Sequence, residues 1–171
     1  MESRNDKKTI ANECEGLNSP ERLENQRLVI SPVPIQTARA FIAWTRHDPA
    51  ASAGAAFALG AQSGDGTLVG VALIGWPTAW VFDDGDTAEV LALATDGTSD
   101  ASQMLLGAAW PLVREMGYRR LIAYTRIDEP GTHLWDAGFR IVPRPLGWQA
   151  ISRADDVTRV LWAIRAVGGR R

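Results

Sequence analysis

The sequence predicts an α/β fold, in which strands and helices alternate along one domain. Three observations lead to this class. Apolar runs rich in branched residues, such as TLVGVALIGW (67–76) and TAEVLALAT (87–95), are typical of buried strands. Stretches with apolar residues three and four apart, such as residues 100–117, are typical of helices. The two kinds of stretch are interleaved in the order β-α-β-β-β-α-β-α-β-β, which argues against an all-helical or an all-strand protein.

Local signals justify each element in turn. Pro34 favours the start of the first helix, because its ring fixes a helical φ and its missing amide is not needed there. The turn SGDG joins two strands as a hairpin, and Gly117 ends the second helix. The predicted elements are a strand at 27–31, a helix from Pro34 to about Thr45, strands at 55–62, 67–76 and 87–95, a helix at 100–117, a strand at 119–126, a short helix at 129–139, and final strands in FRIVPRP and TRVLWAIRA.

Length and composition indicate one globular domain. The chain has 171 residues, of which 46% are hydrophobic and 22% are charged. No segment approaches the roughly 20 apolar residues of a membrane span. Residues 1–26 are polar throughout and are predicted to be a disordered arm, which leaves 27–171 as the domain. The single cysteine, Cys14, cannot form an internal disulfide, and we expect a cytoplasmic protein.

Charge is distributed unevenly along the chain, although the net charge is only −2. Residues 48–113 contain eight carboxylates and no basic residue, whereas the chain from Arg114 onward has eleven arginines and six acids. A uniformly basic surface for nucleic acid is therefore not expected, and only the C-terminal arginines keep a nucleic-acid partner open. The acidic middle of the chain argues against such a partner.

The stretch EVLALATDGTSDASQMLL (89–106) combines a buried strand with a helix start. The apolar run stops at Thr95, small and acidic residues follow, and helical spacing then begins. A helix N-terminus leaves several backbone amides without partners and carries the positive end of the helix dipole. Small residues before it allow an anion to approach those amides. Asp100 and Gln103 have the spacing of a capping box, so we expect the Asp100 side chain to cap the helix.

The element order and three motifs resemble the GNAT superfamily of acyl-CoA-dependent N-acyltransferases over residues 27–166. The motifs are EVLALAT, DGTSDASQMLLGAAWPLVREMGYRRLIAYT and the DAGF that follows a short helix. The chain is most similar to small GNAT-like proteins that carry the TDGT turn, and more remotely to phage DNA-modification proteins of the Mom type. The resemblance implies a mixed central sheet of six or seven strands flanked by helices. It also implies acetyl-CoA, or another acyl-CoA, as cofactor and direct acyl transfer to a small amine.

The resemblance further implies where the cofactor binds. The strand would pair with the pantetheine arm, and the turn before the helix would cradle the pyrophosphate. The superfamily usually has an Arg/Gln-x-x-Gly-x-Gly/Ala turn, and this chain has Gly97, Asp100 and Ser102 at its fixed positions. A bare anion would feel the negative charge of Asp100. The cofactor-binding residues predicted in this way are Leu91, Ala92, Leu93, Ala94, Gly97, Thr98, Ser99, Asp100, Ala101, Ser102 and Thr132.

Glu89 and Tyr124 are the first catalytic candidates. Glu89 is the only carboxylate in an apolar strand, which favours a raised pKa and a role as general base, directly or through water. The alternative is a surface residue at the end of the strand. Tyr124 lies near the end of the next strand and could protonate the departing thiolate. Its alternative is an ordinary buried tyrosine whose hydroxyl is hydrogen-bonded within the protein.

Two histidines complete the catalytic candidates. The superfamily often places an acidic tyrosine five residues before the phenylalanine of the Gly-Phe end, where this chain has Leu134. His133 and Thr132 are its neighbours and the natural substitutes, although His133 could equally be a plain surface residue. His47 lies in the last turn of the first helix, which borders the acceptor side in GNAT folds. The helix dipole alone would also favour a histidine there.

The remaining features bear on partners. One cysteine and two distant histidines are too few for a zinc site, so no metal is expected. Trp76 and Trp80 could line an acceptor pocket beside the acidic turn 83–86, or form a hydrophobic corner. The expected partner is a small amine, and a homodimer is left open. Two other functions remain: a Mom-like nucleobase-modifying enzyme, and a non-catalytic acyl-CoA-binding module, which the missing tyrosine favours.

Overall fold

The computed structural model of the chain describes residues 27–46, 54–143 and 159–166. Within these residues every predicted strand and helix is present, with ends shifted by a few residues. The predicted arm at 1–26 and His47 lie outside the described residues. The elements are β1 Val29–Val33, α1 Ile35–Arg46, β2 Ala55–Gln62, β3 Leu68–Gly75, β4 Thr87–Thr95, α2 Ala101–Glu115, β5 Arg120–Arg126, α3 Thr132–Asp136, β6 Arg140–Ile141 and β7 Arg159–Arg165.

The seven described strands form one mixed sheet in the order β1-β2-β3-β4-β5-β7-β6. Neighbouring strands are antiparallel, except that β4 and β5 run parallel. The parallel pair requires a crossover connection, which helix α2 supplies by returning the chain to the edge at which β4 began. The prediction of a mixed sheet flanked by helices is confirmed.

Helices cover both faces of the sheet. Helix α2 packs its apolar side on one face, and α1 packs on the other face over β2, β3 and β4. Burial of each large aliphatic side chain in these layers contributes about 1.5–3 kcal/mol. The α2 side includes Leu59, Ala72, Val90, Leu105, Leu106, Val113, Leu121 and Ala123, and the α1 side includes Ala38, Phe41, Ile42, Ala58, Val71, Leu73, Ala92 and Ala94.

One short element was not predicted from the sequence. Residues Trp80–Phe82, in the segment between β3 and β4, form a 3₁₀ helix. Phe82 and Ala79 are buried against Ile122 of β5 and Leu161 of β7. This segment therefore covers the part of the α1 side that α1 does not reach.

None of the described helices is both long enough and apolar enough to cross a bilayer.

Candidate functional site

The parallel strands β4 and β5 separate halfway along their length. Their register pairs Thr87 with Arg120 and continues to the pair Val90 and Ala123, where it stops. Beyond that point β4 continues to Thr95 on β3, and β5 continues to Arg126 on β7. The edge of β4 that faces β5 has no strand partner over 91–95 within the described sheet. The gap between the two strands beyond Val90 and Ala123 is the cleft, and the backbone groups of β4 along it can bind an extended ligand.

A β-bulge at Leu91 marks the point of separation. The register on β3 shifts there, because Leu73 pairs with Ala92 while the next residue, Ile74, pairs with Val90. One extra residue reverses the alternation of side chains along the strand. Val90 packs on the α2 side, and Leu91 and Ala92 both pack on the α1 side. The bulge thus bends β4 where it leaves β5.

Glu89 lies directly below the cleft and is buried, with only 4% of its surface exposed. Val90 faces α2, so Glu89 faces the opposite side of the sheet, together with its register partner Ile122. Thr78 provides hydrogen bonds to the carboxylate: its amide nitrogen is 2.6 Å from Oε2, and its hydroxyl is 3.0 and 3.1 Å from the two oxygens. The alternative that Glu89 is a surface residue is wrong.

These hydrogen bonds help to stabilise a carboxylate in this buried position. A buried carboxylate without partners is strongly disfavoured, and each hydrogen bond to a charged group contributes about 1.5–3 kcal/mol. Thr78 supplies one main-chain and one side-chain donor, so the carboxylate is held in one orientation. A positioned carboxylate below an open cleft can accept a proton from a group bound in that cleft.

Tyr124 lies on the same side of the sheet as Glu89. It follows Ile122 by two residues on β5 and packs against the same cluster, so the two side chains share one face. Burial raises the pKa of the Tyr124 phenol well above its usual range, the charge of Glu89 raises it further, and Arg159 of β7 opposes both effects. The phenol is therefore neutral at physiological pH and can donate a proton or a hydrogen bond.

The turn between β4 and α2 is organised by Asp96. Its Oδ1 accepts hydrogen bonds from the Thr98 amide at 2.9 Å and from the Thr98 hydroxyl at 2.6 Å. Both donors of Thr98 are thus engaged within the turn. Gly97 has φ 101°, a conformation that residues with a side chain rarely adopt.

Asp100 precedes α2 in a left-handed conformation, with φ 64°, and its side chain makes no capping hydrogen bond. The predicted capping box with Gln103 is therefore wrong. A capping side chain requires an extended backbone at that residue, and the left-handed backbone directs the carboxylate elsewhere. Asp100 stands where the GNAT turn usually has glycine, and it has a glycine-like backbone. Asp100 is the only described non-glycine residue with a positive φ.

The first turn of α2, which follows the open part of β4 through the turn at 96–100, begins with backbone amides that have no acceptor in the helix. The amide of Met104 donates to the Asp100 carbonyl at 2.9 Å, which is the first bond of the helix. The amides of Ala101, Ser102 and Gln103 precede it and have no acceptor within the helix. Together with the positive end of the helix dipole, these amides form a site that suits a phosphate.

Solved structures share the fold that holds this site. The sequence matches no protein-family model, and no curated protein is similar to it in sequence. The ribosomal-protein-S18-alanine N-acetyltransferase from Escherichia coli superposes with a TM-score of 0.60 at 13% identity, covering 84% of this chain and 97% of its own. The IAA acetyltransferase from Bacillus cereus gives 0.59 at 16% identity, over 82% and 100%. The chain has the GNAT fold.

A third structure of this fold contains a ligand. The GNAT family acetyltransferase from Elizabethkingia anophelis, with acetyl-CoA bound, superposes with a TM-score of 0.56 at 16% identity, covering 81% of this chain and 98% of its own. Sequence identities this low establish the shared fold alone. The resemblance to GNAT proteins noted from the motifs is confirmed at that level.

The GNAT fold does not bring every predicted residue to one place. Thr132 and His133 lie on α3, which packs against α2 through Leu134, whereas Glu89 and Tyr124 face the other side of the sheet. Thr132 is exposed and His133 is partly buried. Among the described parts of the chain, no group of three or more His, Cys, Asp or Glu side chains is placed to hold a metal ion.

The sequence interpretation missed one residue of the site. Thr78 contacts Glu89 across eleven positions of the chain, from a loop whose path depends on the burial of Ala79 and Phe82. No local pattern marks it, apart from its position directly after Pro77 and between Trp76 and Trp80.

Proposed function

We propose that the chain is an acyl-CoA-dependent N-acyltransferase that transfers an acetyl group to a small amine by direct attack. One observation carries the proposal: β4 and β5 separate directly above a buried, positioned glutamate. A cleft with unpaired strand edges on one side and a proton acceptor at its base suits a reaction between an extended thioester and an amine.

The residues around the cleft fit an acyl-CoA. The edge of β4 over Leu91, Ala92, Leu93 and Ala94 offers main-chain groups to the amides of a pantetheine arm. The amides of Ala101, Ser102 and Gln103 suit the pyrophosphate, with Gly97 and Ser99 exposed beside them. The exposed carboxylates of Asp96 and Asp100 in the same turn are unfavourable charges for this ligand. Acyl-CoA would supply the thioester that the amine attacks.

Glu89 and Tyr124 have complementary roles in this proposal. Glu89 accepts the proton that the amine loses, directly or through a water molecule. Tyr124, held neutral by burial and by the charge of Glu89, donates a proton or hydrogen bond to the sulfur that leaves. His133 and Thr132 remain alternatives for that donor, and His47 remains an alternative base.

The acceptor in this proposal is a cationic amine. Trp76 and Trp80 are 59% and 81% exposed, and each lies two residues from Thr78, hence within about 7 Å between Cα atoms. Indole faces attract cations. Asp83 and Asp86 are exposed nearby in sequence, and residues 54–113 contain no basic residue.

We place the protein in the cytoplasm, and fractionation of cells expressing the full chain would test this placement. Whether the protein forms a homodimer is left open, and analytical ultracentrifugation would decide it.

Cofactor binding is tested by thermal denaturation. A ligand that binds only the folded state stabilises it by about 2.7 kcal/mol at a hundredfold excess over Kd. We expect acetyl-CoA and desulfo-CoA, at millimolar concentration, both to raise the Tm of the full chain. An absence of any shift with either compound would exclude the acyl-CoA assignment.

Turnover is tested separately, by release of free thiol from acetyl-CoA across a panel of small amines. We expect release with at least one cationic amine. Binding of acetyl-CoA without release by any amine would favour the non-catalytic acyl-CoA-binding module. Acylation of DNA alone would favour the Mom-like nucleobase reaction.

A further inference from the structure

The loop after β3 holds Glu89 through one residue, Thr78. The side chain of Thr78 is exposed, while the carboxylate that it contacts is buried beneath it. The Thr78 amide nitrogen is 2.6 Å from Oε2, and the hydroxyl oxygen is 3.0 Å from Oε2 and 3.1 Å from Oε1. An exposed residue therefore contributes two donors that orient the buried carboxylate.

The hydrogen bonds from Thr78 favour one protonation state of Glu89. Both donors bind the charged carboxylate better than the neutral acid, so their removal favours protonation. Among other titratable groups, β5 contributes Tyr124, whose charge state is coupled to Glu89, and β7 contributes Arg159 beside Tyr124. Strand β3 and the segment 76–82 contribute no titratable side chain. The two donors of Thr78 thus oppose the effect of burial on Glu89.

We propose that Thr78 is a positioning residue for the transfer reaction: it keeps Glu89 ionised and in one orientation, ready to accept a proton. This inference rests on the proposed function, in which Glu89 is the general base. It assigns the loop between β3 and β4 a part in proton transfer, besides any contact of Trp76 and Trp80 with the acceptor.

Three variants of the full chain test the inference. Thr78→Val removes the hydroxyl and keeps the shape and the amide, and its exposed position makes it compatible with folding. Thr78→Ser restores the hydroxyl. Thr87→Val is the matched control, because Thr87 also donates its hydroxyl to a carboxylate, Asp84 Oδ2 at 3.2 Å, but not to Glu89.

The first measurement follows the Glu89 carboxyl carbon by NMR during a pH titration, with Glu89→Gln to assign the signal. We expect Thr78→Val to raise the pKa of Glu89 by about one unit relative to the unmodified chain. Thr78→Ser and Thr87→Val should leave it unchanged. The inference would be overturned if the pKa of Glu89 were the same in Thr78→Val as in the unmodified chain. It would also be overturned if Thr78→Ser shifted that pKa as much as Thr78→Val does. This measurement requires no acceptor amine, so it tests the effect of Thr78 on Glu89 even if no amine in the panel releases thiol.

The second measurement is the pH profile of kcat/KM for acetyl transfer. In Thr78→Val, the acid limb should move to higher pH by the same amount as the pKa of Glu89 measured by NMR. In Thr78→Ser, the acid limb should lie where it does in the unmodified chain. Acetyl-CoA affinity should stay within a few-fold. If the NMR titration moves but the acid limb does not, Thr78 has no role in the reaction. Absence of turnover in the unmodified chain would instead count against the proposed function.

Discussion

Strand β4 has two halves with different surroundings. Over Thr87–Val90 it is paired with β5, and Glu89 and Val90 are also paired with β3, so the buried carboxylate of Glu89 belongs to a residue with strand partners on both sides. Over Leu91–Thr95 it is paired with β3 alone, and it leads into the turn before α2. The bulge at Leu91 separates the two halves.

The difference assigns separate tasks to the two halves. A fully paired segment fixes its side chains, which suits a proton acceptor whose position decides the rate. A half-paired segment leaves main-chain groups open, which suits a ligand that binds as an additional strand. On our proposal, changes in the first half therefore affect chemistry, and changes at the end of the second half affect cofactor affinity.

The largest effect is expected from Glu89→Gln in the first half. Glutamine keeps the size of the side chain but cannot accept a proton at neutral pH, and a positioned base contributes about 10² to 10⁴ in rate. Turnover, followed by thiol release, should fall by that order, while the Kd for acetyl-CoA stays within a few-fold.

Glu115→Gln, on the exposed side of α2, is the charge-matched control and should keep full turnover. Normal turnover of Glu89→Gln would contradict the assignment of the base. His47→Asn and His133→Asn, measured alongside, would then show whether a histidine takes that role.

A smaller effect is expected from Asp100, at the end of the second half. Asp100→Asn removes a charge from the helix N-terminus, where one charge is worth about 0.3–1 kcal/mol, so acetyl-CoA should bind equally well or up to about fivefold more tightly. Asp100→Gly also relieves a left-handed conformation that costs roughly 1 kcal/mol, and it should raise the Tm as well. Calorimetric titration and thermal denaturation measure the two effects. A large loss of affinity in both variants would show that the carboxylate itself contacts the cofactor or orders the turn.

The smallest effect is a shift in one titration. The charge of Glu89 raises the pKa of Tyr124, so Glu89→Gln should make the phenol ionise at lower pH than in the unmodified chain. Arg159→Gln should have the opposite effect, because Arg159 lowers the same pKa. Phenolate absorbance near 295 nm reports the ionisation, and Tyr118→Phe removes the only other tyrosine. An equal titration in all variants would mean that Glu89 and Tyr124 do not interact.

The sequence was sufficient to predict the order of the strands and helices. It was also sufficient to single out Glu89 as a catalytic candidate. Strand and helix periodicities are local, so the seven strands could be recognised without knowing their partners. A single carboxylate in the apolar run TAEVLALAT stood out as chemically unusual. Its burial could not be derived from the run itself, because an alternating strand fits a sheet in either orientation.

Three features of the site depend on tertiary structure. The bulge at Leu91 arises from pairing with β3, and nothing in the order of side chains marks it. The contact of Thr78 with Glu89 depends on the path of a loop held by Phe82. Asp100 and Gln103 have the spacing of a capping box, but the left-handed backbone of Asp100 prevents it. Spacing predicts a cap only when the backbone conformation allows one.

Hydrogen exchange of the full chain, with and without acetyl-CoA, tests the division of β4 most directly. Amides that gain a hydrogen-bond partner exchange more slowly. We expect acetyl-CoA to slow exchange in peptides covering 91–95 and 97–103, and to leave β1 and β2, at Val29–Val33 and Ala55–Gln62, unchanged. Binding of acetyl-CoA with no protection between 91 and 103 would contradict the assignment of the cofactor to the open half of β4.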